Sequence, residues 1–505
     1  MPMWKFIKSN NFALALTVAA LACAALQYLV ATTGFPDPDV YYHAAMARLL
    51  ASHPTPGSFP WLPLTTLSDS FADLHYLYHL LMAPFASLPL LPWFTAALSL
   101  LMVSAFGLLL RRLKIPAIGF WILLLVFGST DFLYRINLVK INSLALLLIF
   151  LGIMLMYRQR FWWLGLLSAV FVWTYGGFLV LLAVAALYSI AQAIVGKLTI
   201  KPVRAVSLGL LAGWAIQPDP AALLTHLYNQ TVGVVAAKQA LVDVGGEWTP
   251  YEGVTFLREN VSIILVWLVA GTWYLKRFTS FDREHRALLT WFFLLSLMFL
   301  AAALHSRRFV EYWVPLSVLF SGAVAGVAMT QTSWRPLRKH WTSQQEKIAL
   351  MCLGLLLASS FVRNGLTAAR YFHAALPAEA FAPAARWLRE HSGPGDIVFN
   401  ARWDEFPQLF YGNSHNRYVI GLDPTFLYLK SPPLYRSYED ISGDGVGNAY
   451  MQTLHAVIKN DFGASYIFLE NARNPLLRFY LHRENARPYF SLVHSDAVTS
   501  VYEVR

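Results

Sequence analysis

The sequence predicts a polytopic α-helical membrane protein with a C-terminal extracytoplasmic α/β domain, and three observations carry that prediction. Of 505 residues, 57% are hydrophobic and only 13% charged, with a mean hydropathy of +0.48. Apolar runs matching helical spans of about 20 residues recur over the first two thirds of the chain. From about Phe372 to Arg505 the pattern changes to alternating helix and strand signals.

The apolar runs place spans near 12–31, 88–110, 115–130, 138–156, 161–175, 177–195, 203–217, 261–275, 287–304, 309–330 and 347–363, about eleven in all. The stretch from Phe161 to Val195 is too long for one crossing, and both its flanks are basic: Arg158 and Arg160 before it, Lys197, Lys201 and Arg204 after it. The chain therefore crosses twice and turns at Gly176-Gly177.

Basic residues set the orientation. Eighteen fall in segments assigned to the cytoplasm, from Lys5 and Lys8 to Arg335, Arg338, Lys339 and Lys347. Seven fall opposite: Arg48, Arg135, Lys140, Lys238, Arg258, Arg307 and Arg308. From Arg363 onward 14 basic residues are matched by 14 acids, so the formal charge of +11 belongs to the membrane half. That distribution is a positive-inside signal and argues against a nucleic-acid partner. The expected state is a multi-pass protein of the plasma or inner membrane, amino terminus cytoplasmic, C-terminal domain extracytoplasmic (periplasmic). Lys5 and Lys8 before an apolar segment also fit a signal peptide. The segment is long for that role and lacks a small-residue cleavage site, so it reads as an anchor. Cys23 and Cys352 both fall in spans, so the exported domain draws on an ordinary core without a disulfide.

The expected organisation is a transmembrane domain over 1–365, interrupted by large external loops at 32–87 and 218–260, followed by an α/β domain over 366–505. In the latter, Ala380–His391 and Met451–Phe462 read as helices. Asp396–Asn400, Tyr418–Gly421, Ser465–Leu469, Phe490–His494 and Ser500–Val504 read as strands.

Candidate chemistry crowds the external side. Asp37-Pro38-Asp39 follows the first span, and two carboxylates at that spacing suit Mg²⁺ or Mn²⁺ or an acceptor group; the alternative is an Asx turn capping the next helix. The first loop carries Asp37, Asp39, Asp69, Asp73, His75 and His79 against one basic residue, Arg48. His75 and His79 stand one helical turn apart, but without the glutamate of a His-Glu-x-x-His motif they read as hydrogen-bonded histidines in an aromatic belt. Arg307-Arg308, Arg135 and Lys140 lie where basic residues are disfavoured, which points to an anionic group such as a lipid phosphate; interfacial anchoring is the alternative. In the second loop, Gly245-Gly246 precede Glu247-Trp248-Thr249-Pro250.

Asp39-Val-Tyr-Tyr-His43 resembles the Asp-Pro-Trp-Phe/Tyr-Asn/His stretch of oligosaccharyltransferase catalytic subunits and their single-subunit bacterial and archaeal counterparts, GT-C-type membrane glycosyltransferases. Further matches follow in the same order. Trp173-Thr-Tyr-Gly176-Gly177 is similar to that family's Trp-Gly-Gly. Glu247-Trp-Thr-Pro250 resembles its Ser-x-x-Glu-x-x-Pro region, and Arg308-Phe309 with Tyr312 and Pro315 its Arg-Phe-x-x-Tyr-x-x-Pro. Trp403-Asp404-Glu405-Phe406, with Asn416-Arg417 and Asp423 downstream, resembles the Trp-Trp-Asp-Tyr-Gly segment and its sequel.

The resemblance implies a GT-C-like fold and transfer of a sugar or glycan, with inversion, from a polyprenyl (pyro)phosphate to a protein, glycan or lipid acceptor. It implies Asp39, Asp37 and Glu247 as catalytic residues, and Arg308, Arg307, Arg135 and Lys140 as phosphate contacts. Trp403, Asp404, Glu405, Trp248 and His43 would meet the acceptor, and Asp39 with Asp131 would hold a divalent metal, if one is used. The chain departs from the family in its second loop, where Ser129-Thr130-Asp131-Phe132 offers one carboxylate in place of a pair. It departs again where Glu405-Phe406 replaces Tyr-Gly. Two other classes are a lipid flippase, which broken helices, midplane charges or internal repeats would favour, and a structural envelope subunit, in which the acids would be dispensable. No broken helix or repeat is evident in the sequence.

Overall fold

The computed structural model describes residues 11–52, 57–234, 237, 242, 243, 245–330, 343–443 and 451–505. Lys5, Lys8, Lys238, Arg335, Arg338 and Lys339, used above to orient the chain, lie outside these. The chain forms two compact units. One comprises 1–36, 89–215 and 246–375; the other comprises 37–88, 216–245 and 376–505.

The first unit is helical. Each of the eleven segments read as spans falls on a helix, but among the described residues only six helices are long and apolar enough to cross a membrane alone. They are Phe12–Thr33, Leu91–Arg112, Gly253–Ser280, Arg283–His305, Arg307–Met329 and Met351–His373. Their outward faces are apolar, with Leu14, Leu21, Leu268, Val269 and Leu355 exposed as hydrocarbon contact requires. This is a multi-pass membrane protein. Asn142–Tyr157, Phe161–Thr174 and Leu179–Ile194 are shorter apolar helices.

The span expected at 115–130 is a broken one. Ile118–Phe127 and Thr130–Ile136 meet at 87°, because Ser129 adopts an extended backbone and its hydroxyl accepts the Phe132 N–H at 3.2 Å, starting a new helix. A composition window sees one apolar run and misses this break. Small residues let other helices approach closely: a Cβ on Gly209 would lie 2.1 Å from the Gly165 carbonyl oxygen, so Lys201–Ala215 packs backbone to backbone on Phe161–Thr174. The expected turn at Gly176-Gly177 separates Phe161–Thr174 from Leu179–Ile194, and a Cβ on Gly177 would strike the Tyr175 ring at 2.1 Å.

The second unit is built on a five-stranded mixed sheet, in the order β2-β1-β3-β5-β4. Its strands are β1 (Ile397–Asn400), β2 (Arg417–Tyr418), β3 (Ala464–Glu470), β4 (Phe490–Ser495) and β5 (Thr499–Val504). β1 runs parallel to β2 and β3, while β5 runs antiparallel to β3 and β4. Of the strand expected over Tyr418–Gly421 only Tyr418 lies in β2, which begins one residue earlier, and the helix expected over 451–462 closes in a π turn at Val457–Asp461. Residues from the first external loop share the core of this unit. Tyr42, Met46, Phe59, Leu62 and Phe71 are buried with Phe381, Leu388, Val398, Phe406, Phe410 and Phe468. Hydrogen bonds tie the same pieces: Tyr418 N–H donates to the Trp61 carbonyl at 2.8 Å, and Lys430 Nζ donates to Asp69 Oδ1 at 2.8 Å.

Candidate functional site

In the first unit the residues selected from sequence converge. Arg135 sits on the short helix Thr130–Ile136 that follows the break. Its Nε donates to Glu311 Oε2 at 3.1 Å, and its Nη2 donates to Glu247 Oε2 at 3.4 Å. Lys140 Nζ donates to Glu247 Oε1 at 3.3 Å. Both ends of the Arg135–Glu311 pair are buried, with side chains 9% and 2% exposed. Burial opposes ionisation of Glu247, yet Arg135, Lys140 and Arg308 outweigh it and hold the carboxyl well below its usual range.

Arg308 lies in a 3₁₀ turn, Arg307–Phe309, that opens an apolar helix. Its charge rests over the Trp248 ring, 4.4 Å from the centroid. Among the described residues its guanidinium donates no hydrogen bond to a carboxylate, and the cation–π contact consumes no N–H. Arg308 therefore keeps donors for an anion. Arg307 instead joins the loop, its backbone N–H donating to the Thr249 carbonyl at 3.1 Å and its Nε to the Pro250 carbonyl at 3.3 Å. Ser306 Oγ donates to the Glu247 carbonyl at 2.9 Å, so the glutamate loop is stitched to the helix start.

Asp131 accepts a hydrogen bond from the Tyr251 hydroxyl and lies beside Glu259, whose carboxyl also accepts from Tyr371 at 3.2 Å. Among the described residues no group of three or more His, Cys, Asp or Glu is disposed to hold a metal ion. The residues present do not make the Asp131 site a ready cation cage.

In the second unit Asp37 and Asp39 are both turn and helix start. Asp39 N–H donates to Asp37 Oδ1 at 3.0 Å, and the helix Asp39–Ser52 begins there. Asp39 thus stands in a helix's first turn, where the backbone dipole favours a carboxylate. His43, one turn on, is buried, and its Nδ1 lies 2.8 Å from His79 Nε2. His79 Nδ1 in turn lies 2.6 Å from Asp73 Oδ2. The His79 ring is fully buried, so this is an interior chain of hydrogen bonds, deeper than an interfacial belt.

Trp403, Asp404 and Glu405 form a short turn after β1. Asp404 accepts from Arg473 Nη2 at 2.7 Å. The Trp403 ring packs on Gly245, 3.4 Å from where a Cβ would stand. Glu405 is buried, and its carboxyl accepts the Arg402 and Glu470 N–H groups at 2.9 and 3.0 Å and the Asn474 amide at 3.2 Å. Burial pushes its carboxyl up to about 8. Glu405 holds the turn that presents Trp403 and Asp404. Sequence reasoning passed over Glu311 and Glu259, although a carboxylate within an apolar helix was the available signal.

No family model matches the chain, and no curated protein matches it. Solved structures do. The oligosaccharyltransferase of Archaeoglobus fulgidus, tethered to an acceptor peptide containing the NVT sequon, superposes with a TM-score of 0.61 at 12% identity, over 98% of this chain and 74% of that one. The fold is shared. The same protein, in complex with zinc and sulfate, gives 0.59 at 14% identity over 97% of this chain and 73% of that one. ArnT from Cupriavidus metallidurans, bound to undecaprenyl phosphate, gives 0.53 at 13% identity over 98% of both chains. The fold shared with these structures extends along nearly the whole chain.

Proposed function

We propose that this protein is a membrane glycosyltransferase that moves a sugar or glycan from a polyprenyl phosphate or pyrophosphate carrier to an acceptor at the extracytoplasmic face, with inversion at the anomeric carbon. One observation carries the reading: among the described residues Arg308 keeps its N–H donors, Arg135 and Lys140 gather beside it around Glu247, and the chain shares its fold with ArnT bound to undecaprenyl phosphate.

Arg308 is the group that meets the carrier phosphate, with Arg135 and Lys140 supplying further positive potential and Arg307 fixing the loop. As the bond between the anomeric carbon and the phosphate oxygen breaks, negative charge grows on the leaving group and these cations stabilise it. Asp39, supported by Asp37, orients the acceptor nucleophile for attack on the opposite face of the sugar. Glu247, ionised at any working pH, keeps Arg135 and Lys140 together, and its loop closes the site against water. Trp403, Asp404, Trp248 and His43 contact the acceptor, and Glu405 supports the first two from behind. Mg²⁺ or Mn²⁺ bound through Asp39 or Asp131 would add positive charge; no step here depends on it. The amino terminus is cytoplasmic and the second unit extracytoplasmic in this reading.

The 87° break before Arg135 also favours a second reading, a lipid flippase, since discontinuous helices line translocation paths. One experiment separates them. Purified protein in liposomes, given a radiolabelled polyprenyl-phosphate sugar pool and candidate peptide, glycan and lipid acceptors, is expected to yield labelled product of inverted anomeric configuration. Movement of intact labelled carrier between leaflets without product would replace the transferase by the flippase.

A further inference from the structure

The helix Thr130–Ile136 has two turns, too few to hold a direction of its own, and its last carbonyls have no partners along the helix. Both its ends are tied by buried side chains from other helices of the first unit. At the entry, Asn364 on Met351–His373 spans the 87° break. Its Nδ2 donates to the Phe127 carbonyl at 2.8 Å, where the preceding helix stops, and its Oδ1 accepts the Thr130 hydroxyl at 3.1 Å, where the short helix starts. Arg363 Nη2 donates to the same Oδ1 at 3.0 Å, which fixes the way the Asn364 amide faces.

At the exit, the Ile136 carbonyl accepts from Ser99 Oγ at 2.5 Å and from Ser143 Oγ at 3.0 Å. The next carbonyl, that of Asn137, accepts from Gln27 Nε2 at 2.6 Å. Gln27 lies on Phe12–Thr33, Ser99 on Leu91–Arg112 and Ser143 on Asn142–Tyr157, so three helices converge on one helix end. Gln27, Ser99 and Asn364 have no exposed surface, and Ser143 has almost none. Burial removes water as a substitute donor, so each carbonyl depends on the side chain aimed at it.

We propose that Gln27, Ser99, Ser143 and Asn364 are positioning residues for carrier binding: they form a polar socket that sets the direction of the short helix and thereby the place of the Arg135 guanidinium. The inference rests on the transferase reading above, in which Arg135 adds positive potential at the carrier phosphate. Arg135 immediately precedes the carbonyl that Ser99 and Ser143 hold, and its side chain spans Glu311 and Glu247. A displaced helix end therefore draws the guanidinium away from both carboxylates together. The socket residues bind main-chain carbonyls and the Thr130 hydroxyl, so their influence on the site runs through the backbone.

The test uses the full protein in liposomes, with undecaprenyl phosphate as probe. Ser99→Ala with Ser143→Ala removes both donors from the Ile136 carbonyl and is expected to raise the Kd for this probe on the order of tenfold. Undecaprenol, which keeps the tail and lacks the phosphate, should bind that variant as it binds wild type; equal losses for both probes would mark a general loosening and overturn the proposal. In an Arg135→Gln background the same pair of changes should cost no further affinity, because the group they place is gone, and losses that add would also overturn it. Should the pair fail to fold, Gln27→Met, which keeps the bulk and drops the donor, is expected to give the same pattern from the Asn137 carbonyl. Amide hydrogen exchange over residues 130–136 provides a reading independent of binding. It is expected to quicken in the serine variants, and exchange at the wild-type rate would overturn the socket. Failure of the wild type to bind undecaprenyl phosphate would instead remove the transferase reading and leave exchange to judge the socket.

Discussion

At the scale of single residues, the site turns on which charges are already satisfied. Arg135 is spent on Glu311 and Glu247, while Arg308 is held by the face of Trp248 and keeps its N–H groups. Removing Trp248 therefore loosens a cation without removing it. Trp248→Ala is expected to raise the donor KM several-fold with a smaller effect on kcat, corresponding to about 0.5–2 kcal/mol for a cation–π contact; steady-state kinetics at varied donor checks it. Glu311 behaves differently because it is buried with its partner. Glu311→Ala takes away the buried partner of Arg135 and leaves it only the part-exposed Glu247, and is expected to cost roughly 1–3 kcal/mol, read as a lowered thermal midpoint in detergent. Replacing Arg135 as well should restore part of that loss, since the buried charge left short of a partner is then gone.

At the scale of elements, small residues and one turn carry most of the geometry. A Cβ on Gly209 has no room against Gly165, so Gly209→Val is expected to prise Lys201–Ala215 from Phe161–Thr174 and lower thermal stability by a few kcal/mol, the usual cost of overpacking. In the second unit, Glu405 joins the Trp403 turn to the end of β3. Its carboxyl is raised from the ordinary 4.5 to about 8, so the folded state retains a proton that the unfolded chain releases in between. Stability of this unit is thus expected to fall as pH rises from about 4.5 to about 8 and to level off beyond, with Glu405→Gln flattening the slope. Unfolding followed across that range by intrinsic fluorescence measures it.

These elements also show what the sequence made legible. Periodicity and apolar length marked the helical segments of the first unit and four of the five strands, because those signals are local. The break at Ser129 escaped because Ile118–Phe127 and Thr130–Ile136 read as one apolar run, and the short β2 escaped because pairing depends on its neighbours. Asp39, Arg308, Glu247 and Trp403 could be selected as candidates through motif order. The His79 link to Asp73 and His43 could not, since only folding brings residues 36 and 6 positions apart into hydrogen-bond range.

At the scale of the whole molecule, the proposed transferase divides two separable tasks along one chain: binding of carrier phosphate through Arg308 in the membrane unit, and activation of an acceptor through Asp39 in the other. Separable tasks give separable failures. The decisive measurement compares Arg308→Ala and Asp39→Asn with wild type in liposomes, under single-turnover conditions with radiolabelled carrier-linked sugar, alongside direct binding of the unglycosylated polyprenyl phosphate. Arg308→Ala should weaken carrier-phosphate binding and cut transfer on the order of 10²-fold or more, while Asp39→Asn should bind carrier normally and lose transfer to a similar degree. Transfer and binding at wild-type levels in both variants would contradict the account at its centre.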